Sequence, residues 1–264
     1  MPASFRPRFL RLHGVLDRLT GREIALKGGI STPGVVRIGE TVRRPLKERS
    51  AFVHDVLRQL ERRGFDRAPR FLGIDEKGRA MLTYIAGTVP RQVGGFQKEQ
   101  WLAAARLLRS LHDATADCAL KGECEVVCHG DPGPGNYVLR DGMPFALIDF
   151  DGARPGKREE DVGYAAWMWL HIGNRKIAPE EQRSHLAEFV AAYDAAATWN
   201  PREAVLRAQH ATVAQLPNSF RWAFIKAWAQ GCLAWTVRNR ERIAAGMAMG
   251  PEVLNDPSMR GGRR

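Results

Sequence analysis

The stretch HGDPGPGNYVLRDGMPFALIDFD, residues 129–151, is the most informative part of this 264-residue chain. It places Asp131 and Asn136 five residues apart in a loop rich in proline and glycine, and Asp149 directly after an apolar strand. The residues between them predict a β-hairpin that turns near Asp141-Gly142, a dipeptide typical of tight hairpin turns. Because a hairpin brings its end back to its start, we expect these three polar side chains to converge.

Two carboxylates and one carboxamide around one point are the groups that phosphoryl transfer requires. Asp131 would accept the proton of an attacking hydroxyl, while Asn136 and Asp149 would hold Mg²⁺ against the phosphates of a nucleotide. The competing interpretation is a hairpin whose Asp and Asn residues only cap turns. The length and order of the pattern favour the catalytic interpretation.

The pattern resembles the catalytic core of the aminoglycoside phosphotransferase family, which are small-molecule kinases with a protein-kinase-like fold. The family motif, H-G-D-x4-N followed by I-D-[FW]-[DE], is matched position by position over residues 129–151. The resemblance implies an α+β, bilobal fold. A small antiparallel β-sheet lobe, residues 1–86, would clamp the nucleotide, and a larger, mainly helical lobe, residues 87–264, would carry catalysis and substrate binding.

The same resemblance implies an activity. ATP, or GTP, would serve as phosphate donor with Mg²⁺, and the acceptor would be a hydroxyl of an antibiotic, an amino-alcohol or a sugar derivative. His129 and Asp161 would support the catalytic loop rather than react. Thr83 and Ile85, at the end of the first lobe, would contact the nucleotide. An enzyme that uses ATP is expected in the cytoplasm.

A basic residue on the third predicted strand is expected to contact the α- and β-phosphates. Arg43 occupies the matching position, and Arg44 on the opposite face of the strand is the competing candidate. The family's glutamate partner on the following helix is missing, because Val53 or His54 stands in its place. The clamp on the nucleotide is therefore either organised differently or weak, and the second possibility leaves open a nucleotide-binding module with little turnover.

A glycine-rich loop, residues 28–34, joins the first two predicted strands. Gly29 permits close backbone approach to phosphates and Ser31 and Thr32 offer hydrogen-bond donors, although an ordinary hairpin turn would have the same composition. A Walker-type G-x4-G-K-[ST] sequence is absent, so a P-loop kinase is not expected. Asp151 either adds a metal contact or faces solvent.

The other elements follow from hydrophobic periodicity and turn residues. We predict strands at 23–26, 35–37, 41–44, 70–74, 79–84 and 126–128, and helices at 50–63, 98–114, 161–172, 179–197, 201–214 and 218–245.

The net charge of +11 is concentrated in the first lobe. Residues 1–87 hold 18 Lys and Arg against 9 Asp and Glu, a balance of +9, and the remainder hold 22 against 20, a balance of +2. A basic lobe suits a polyphosphate ligand and would also suit nucleic acid. No nucleic-acid-binding fold signature accompanies it, so a basic surface is favoured over nucleic-acid binding, and a basic nucleic-acid-binding protein stays the second alternative. No signal-peptide core or membrane-length apolar run is apparent, so no membrane association is expected.

Overall fold

The computed structural model describes residues 22–26 and 33–244. The N-terminal part forms one antiparallel sheet in the order β1-β2-β3-β5-β4. Its strands are β1 (Ile24–Ala25), β2 (Val36–Ile38), β3 (Thr41–Arg44), β4 (Phe71–Ile74) and β5 (Ala80–Thr83). The central pair aligns Arg43 with Met81 and Arg44 with Ala80.

Helix α1 (Ser50–Arg62) connects β3 to β4. Its apolar residues recur at the spacing of a helix face, and Val53, Val56, Leu57 and Leu60 are all buried. The chain leaves the helix at Gly64, whose φ of 72° lies in the left-handed region that glycine adopts without strain. The predicted helix and its buried face are confirmed.

The C-terminal part is mainly helical. Its helices are α2 (Lys98–Thr115), α3 (Arg158–Leu170), α4 (Pro179–Tyr193), α5 (Pro201–Gln215), α6 (Phe220–Arg238) and α7 (Arg240–Ala244). The prediction of one continuous helix over 218–245 is wrong. Asn239 leaves the helical conformation (φ −100°, ψ 18°), and its side-chain amide donates to the carbonyl of Trp235, a local bond that competes with helix continuation.

The core of this part combines large aromatic and aliphatic side chains. Trp167 and Trp169 of α3, with Tyr137 and Phe189, are among the largest fully buried side chains. Helix α3 also crosses α5 at very close range. A Cβ atom on Gly163 would lie 2.4 Å from the carbonyl oxygen of Ala204, so this crossing requires glycine.

Two short antiparallel ladders hold the segment 129–151. The predicted hairpin is confirmed as β7 (Tyr137–Arg140) and β8 (Met143–Leu147). Its turn residues both have positive φ, 50° at Asp141 and 76° at Gly142. The second ladder pairs β6 (Val126–Cys128) with β9 (Arg154–Gly156). In the sequence, the β7–β8 ladder therefore lies between the loop 129–136 and the loop that holds Asp149. The strands of the β6–β9 ladder lie on the outer sides of these two loops.

A small antiparallel sheet followed by a larger, mainly helical part is the α+β architecture that the sequence predicted, and this fold class is confirmed. The division of the chain between residues 86 and 87 stays a prediction. Among the residues that the structure describes, no helix combines the length and apolar character needed to cross a bilayer.

Candidate active site

The loop 129–136 is held in place by a buried carboxylate. Asp161, near the start of α3, accepts hydrogen bonds from the backbone N–H groups of His129 (2.6 Å) and Gly130 (2.9 Å). The His129 ring donates through Nε2 to the carbonyl of Ile148 at 3.0 Å, because a carbonyl oxygen can only accept. The two loops at the ends of the hairpin are thus joined through the ring of His129.

Gly130 is required at its position for two reasons. Its φ of 83° is unfavourable for a residue with a side chain, and a Cβ atom there would lie 2.1 Å from the carbonyl oxygen of Gly152. The loop after β6 therefore packs backbone to backbone against the turn after Asp149.

The structure brings Asp131, Asn136 and Asp149 together. The side-chain amide of Asn136 donates to the backbone carbonyl of Asp131 at 2.8 Å. The backbone carbonyl of Asn136 accepts the N–H of Ile148 at 2.9 Å, which places Asp149 beside it. Asn136 and Asp149 both line the cleft between the sheet and the helical part.

Asp131 is accessible to solvent but lies in a recess with protein atoms on most sides. This desolvation raises its pKa above the usual range of an aspartate, although a hydrogen bond from the hydroxyl of Tyr164 opposes the shift. Sequence reasoning did not identify Tyr164 as a site residue. The sequence feature that could have identified Tyr164 is its position on α3. It follows Asp161 by three residues and therefore lies on nearly the same helix face.

Asp149 has an unusual backbone conformation, with φ 64° and ψ 63° in the left-handed region. Non-glycine residues rarely adopt it, and such residues concentrate at functional sites. Asp149 lies two residues after the end of β8, and it lines the cleft.

The predicted contact of Arg43 with the nucleotide phosphates needs correction, because the structure places Arg44 at the cleft. Neighbouring residues of a strand point to opposite faces of its sheet, and Arg44 is the one that lines the cleft. Arg43 is 5% exposed on the other face, where its guanidinium pairs with Asp75 at 3.4 Å and donates to the Thr41 hydroxyl at 2.6 Å. The competing candidate of the sequence analysis, Arg44, thus occupies the expected place.

Arg44 joins the sheet to the other side of the cleft. Its Nη2 lies 3.0 Å from Oδ1 of Asp149 and 2.8 Å from Oδ2 of Asp151. Lys47, in the turn before α1, also binds Oδ2 of Asp151 at 2.7 Å. Asp151 is therefore tied to two cations. Lys47 carried no recognisable signal in the sequence, because its contact spans 104 residues.

The cleft has a volume of about 860 Å³. Predicted nucleotide contacts Thr83 and Ile85 both line it, together with apolar side chains from both walls, among them Val42, Leu82, Val138 and Ile148. The remaining predicted contacts, Gly29, Ser31 and Thr32, lie outside the residues that the structure describes.

Asp161 is fully buried, and burial alone would raise its pKa. The hydrogen bond from His112 (Nε2 to Oδ2, 3.1 Å), the nearby His129 and the Gly130 N–H outweigh burial, so the pKa lies below its usual value of 3.8. A carboxylate with a depressed folded-state pKa stabilises the fold above its unfolded-state pKa. This contribution is lost as the pH falls through the folded-state value.

We expect Asp161→Asn to lower the free energy of unfolding by about 3 kcal/mol at neutral pH, because an amide cannot accept all three hydrogen bonds and leaves buried donors unpaired. Urea unfolding between pH 3 and pH 7 should show the two proteins converging as the pH drops below about 4. Asp113→Asn is the matched control. Its carboxylate is half exposed and pairs with Arg109 and Arg158, so its loss should be within about 1 kcal/mol. If the difference in the free energy of unfolding between the Asp161 variant and the wild type did not depend on pH, this account would be contradicted.

Comparisons with known proteins agree with this geometry. A family model described as the phosphotransferase enzyme family matches residues 123–208, the segment that holds all the polar residues of the two loops and Asp161. The resemblance inferred from the motif is confirmed. A curated relative, the trifolitoxin immunity protein of Rhizobium leguminosarum bv. trifolii, is 29% identical over 260 residues, which covers 86% of this chain and 99% of the relative.

Solved structures show the same protein-kinase-like fold. A microcompartment-associated aminopropanol kinase is similar with a TM-score of 0.56 and 14% identity, covering 88% of this chain and 98% of the other. The aminoglycoside phosphotransferase APH(3″)-Id from Streptomyces rimosus, in complex with ADP and streptomycin, has a TM-score of 0.52 and 15% identity, covering 85% and 98%. At these identities the likeness shows the fold alone.

Proposed function

We propose that this protein is a phosphotransferase that moves the γ-phosphoryl group of ATP or GTP onto a hydroxyl of a small molecule. The observation that carries the proposal is the convergence of Asp131, Asn136 and Asp149, of which Asn136 and Asp149 line a cleft that Arg44 lines from the sheet. The match of this segment to the phosphotransferase family supports it.

The part of the cleft between the sheet and the hairpin suits a nucleotide base. Val42 and Leu82 come from the sheet and Val138 and Ile148 from the hairpin, so a flat ring would be covered by apolar groups on both faces. At the cleft edge, the backbone N–H of Ile85 has no hydrogen-bond partner among the described residues. It would donate to a ring nitrogen of the base.

The donor set near the phosphates suits Mg²⁺. Asn136 and Asp149 offer oxygen ligands, the type that this cation prefers, and Asp149 retains one carboxylate oxygen that Arg44 does not bind. When bound, Mg²⁺ would neutralise charge on the β- and γ-phosphates. Arg44 would add fixed positive charge from the sheet side.

Asp131 would receive the proton of the acceptor. The hydroxyl oxygen of the acceptor forms a bond to the γ-phosphorus, the bond from that phosphorus to the β–γ bridging oxygen breaks, and the nucleoside diphosphate leaves. The raised pKa of Asp131 makes it a better proton acceptor than an ordinary aspartate once it is ionised. Its hydrogen bond with Tyr164 fixes the direction of the carboxylate.

Two observations support a proposal on the class of acceptor, namely the charges that line the cleft and the name of the curated relative. Among the described residues that line the cleft, Asp149 is the carboxylate, while Arg44 and Arg91 are also present. The described lining of this cleft therefore offers a polycationic acceptor a single carboxylate. The relative is an immunity protein against a toxin, and we propose that this chain phosphorylates a toxic compound of low positive charge in the cytoplasm.

The proposal is tested by a phosphate-transfer screen. Purified protein is incubated with Mg²⁺ and γ-labelled ATP or GTP against a panel of amino-alcohols, sugars, aminoglycosides and toxin preparations, and labelled products are separated. Transfer that disappears in Asp131→Asn supports the proposal. Nucleotide binding without transfer or hydrolysis would favour the non-catalytic nucleotide-binding alternative. Tight binding of DNA or RNA that weakens steeply with salt would favour the nucleic-acid alternative.

A further inference from the structure

The partner of the cleft arginine does not come from helix α1. The two carboxylates of this helix are engaged elsewhere, since Asp55 pairs with Arg58 at 2.8 Å and Glu61 with Arg70 at 3.5 Å. The α1 side chains that share the small space beside Arg44 are uncharged at neutral pH or nearly so: Ser50, Val53, Leu57 and His54, whose pKa burial lowers. The anion that binds Arg44 must therefore come from another element.

Asp151 supplies that anion from the far side of the cleft. Its Oδ2 is bound at the same time by Arg44 at 2.8 Å and by Lys47 at 2.7 Å. Lys47 belongs to the turn that starts α1, because its backbone N–H donates to the Ser50 hydroxyl at 2.8 Å and its carbonyl accepts the Ser50 N–H at 3.0 Å. The start of the helix thus remains connected to the arginine through Lys47 and Asp151, and not through a carboxylate of the helix itself.

The guanidinium geometry leaves Arg44 able to bind a second partner. Only Nη2 contacts Asp149 and Asp151, and the donors on Nε and Nη1 make no hydrogen bond in the part of the chain that the structure describes. A guanidinium carries five donors in a rigid plane, so fixing one corner fixes the direction of the others. Arg44 can therefore remain bound to Asp151 while its free edge meets phosphate oxygens.

We propose that Asp151 is a positioning residue that orients Arg44 toward the phosphates of the nucleotide, in place of the missing helix glutamate, and that Lys47 braces Asp151. This inference rests on the proposed nucleotide-dependent function. It assigns Asp151 a role that does not depend on a metal ion, and it separates Asp151 from Asp149, two residues earlier.

The test measures binding of a fluorescent ADP analogue in EDTA, where no metal contributes. We expect Asp151→Asn to weaken binding about tenfold, the effect of losing one charge-assisted contact that orients the arginine. Lys47→Met should weaken it about threefold, as for a partly exposed ion pair. The double variant should bind no more weakly than Asp151→Asn alone, because Lys47 acts through Asp151. Asp55→Asn on the other face of α1 is the control and should leave binding unchanged.

The outcomes separate the possible roles. Unchanged affinity of Asp151→Asn in EDTA, with a loss only when Mg²⁺ is added, would make Asp151 a metal ligand and overturn the inference. Tighter binding would make the ion pair an inhibitory lock and would overturn it as well. Additive losses would overturn the bracing role of Lys47. If Asp151→Asn does not fold, Lys47→Met still decides, since its side chain is 42% exposed and unchanged affinity would contradict the network. A wild-type protein that binds no nucleotide would refute the proposed function itself.

Discussion

Asp131→Asn is expected to lower kcat by roughly 10²- to 10⁴-fold, the range for removal of a general base. Asparagine keeps the shape of the side chain and can still accept the hydrogen bond from Tyr164, so the loop should keep its conformation. What is lost is the group that takes the proton of the acceptor hydroxyl. The measurement is single-turnover transfer to the best acceptor from the screen, with phosphate release to water as a second readout.

The affinity for nucleotide separates this effect from general damage. In the proposed mechanism Asp131 faces the acceptor and not the nucleotide, so the Asn variant should bind ATP as the wild type does. Asp141→Asn is a matched control, because Asp141 is an exposed aspartate at the tip of the same hairpin. Full turnover in Asp131→Asn would remove Asp131 from the mechanism, and loss of nucleotide binding would show that the loop had changed.

Asp149→Asn should reduce turnover as strongly, by roughly 10²-fold or more, for a different reason. The amide is a weaker ligand for Mg²⁺ than a carboxylate and also breaks the ion pair with Arg44. Asparagine is preferred over alanine in this test, because it tolerates the left-handed backbone that Asp149 adopts at φ 64°. The measurement is a titration of activity with Mg²⁺ at saturating ATP.

Asp141 again provides the comparison, since it is an aspartate at a positive φ of 50°. If Asp141→Asn and Asp149→Asn lost equal activity, the loss could not be assigned to the position of the Asp149 carboxylate at the cleft. Mg²⁺ dependence that is the same in the Asp149 variant and the wild type would place the metal elsewhere. A shift of the Mg²⁺ midpoint to higher concentration, with turnover partly restored, would support the assignment.

Local sequence was sufficient wherever contacts are near in the chain. The hairpin from Tyr137 to Leu147 was predictable because Asp141-Gly142 permits the two positive φ angles that a tight turn requires. The buried face of α1 was predictable from the spacing of its apolar residues. The end of α6 was not, since Asn239 stops the helix by a side-chain hydrogen bond that helix periodicity does not reveal.

The choice between Arg43 and Arg44 could not be made from local sequence. The alternation of a strand says that the two side chains point to opposite faces, but not which face covers the cleft. That is decided by the pairing of β3 with β5 and by the side of the sheet on which the helical part packs. The contact of Lys47 with Asp151, 104 residues away, has the same origin.

By itself, the sequence determined most of the helices and strands and the position of the polar residues at the two ends of one hairpin, because these depend on backbone preferences over a few residues. It did not reveal β9 or the break between α6 and α7. Only the tertiary structure decided which arginine faces the cleft and which carboxylate binds it. Those contacts join segments that are distant in the chain, and their energy comes from charges that meet only after the sheet has packed against the helices.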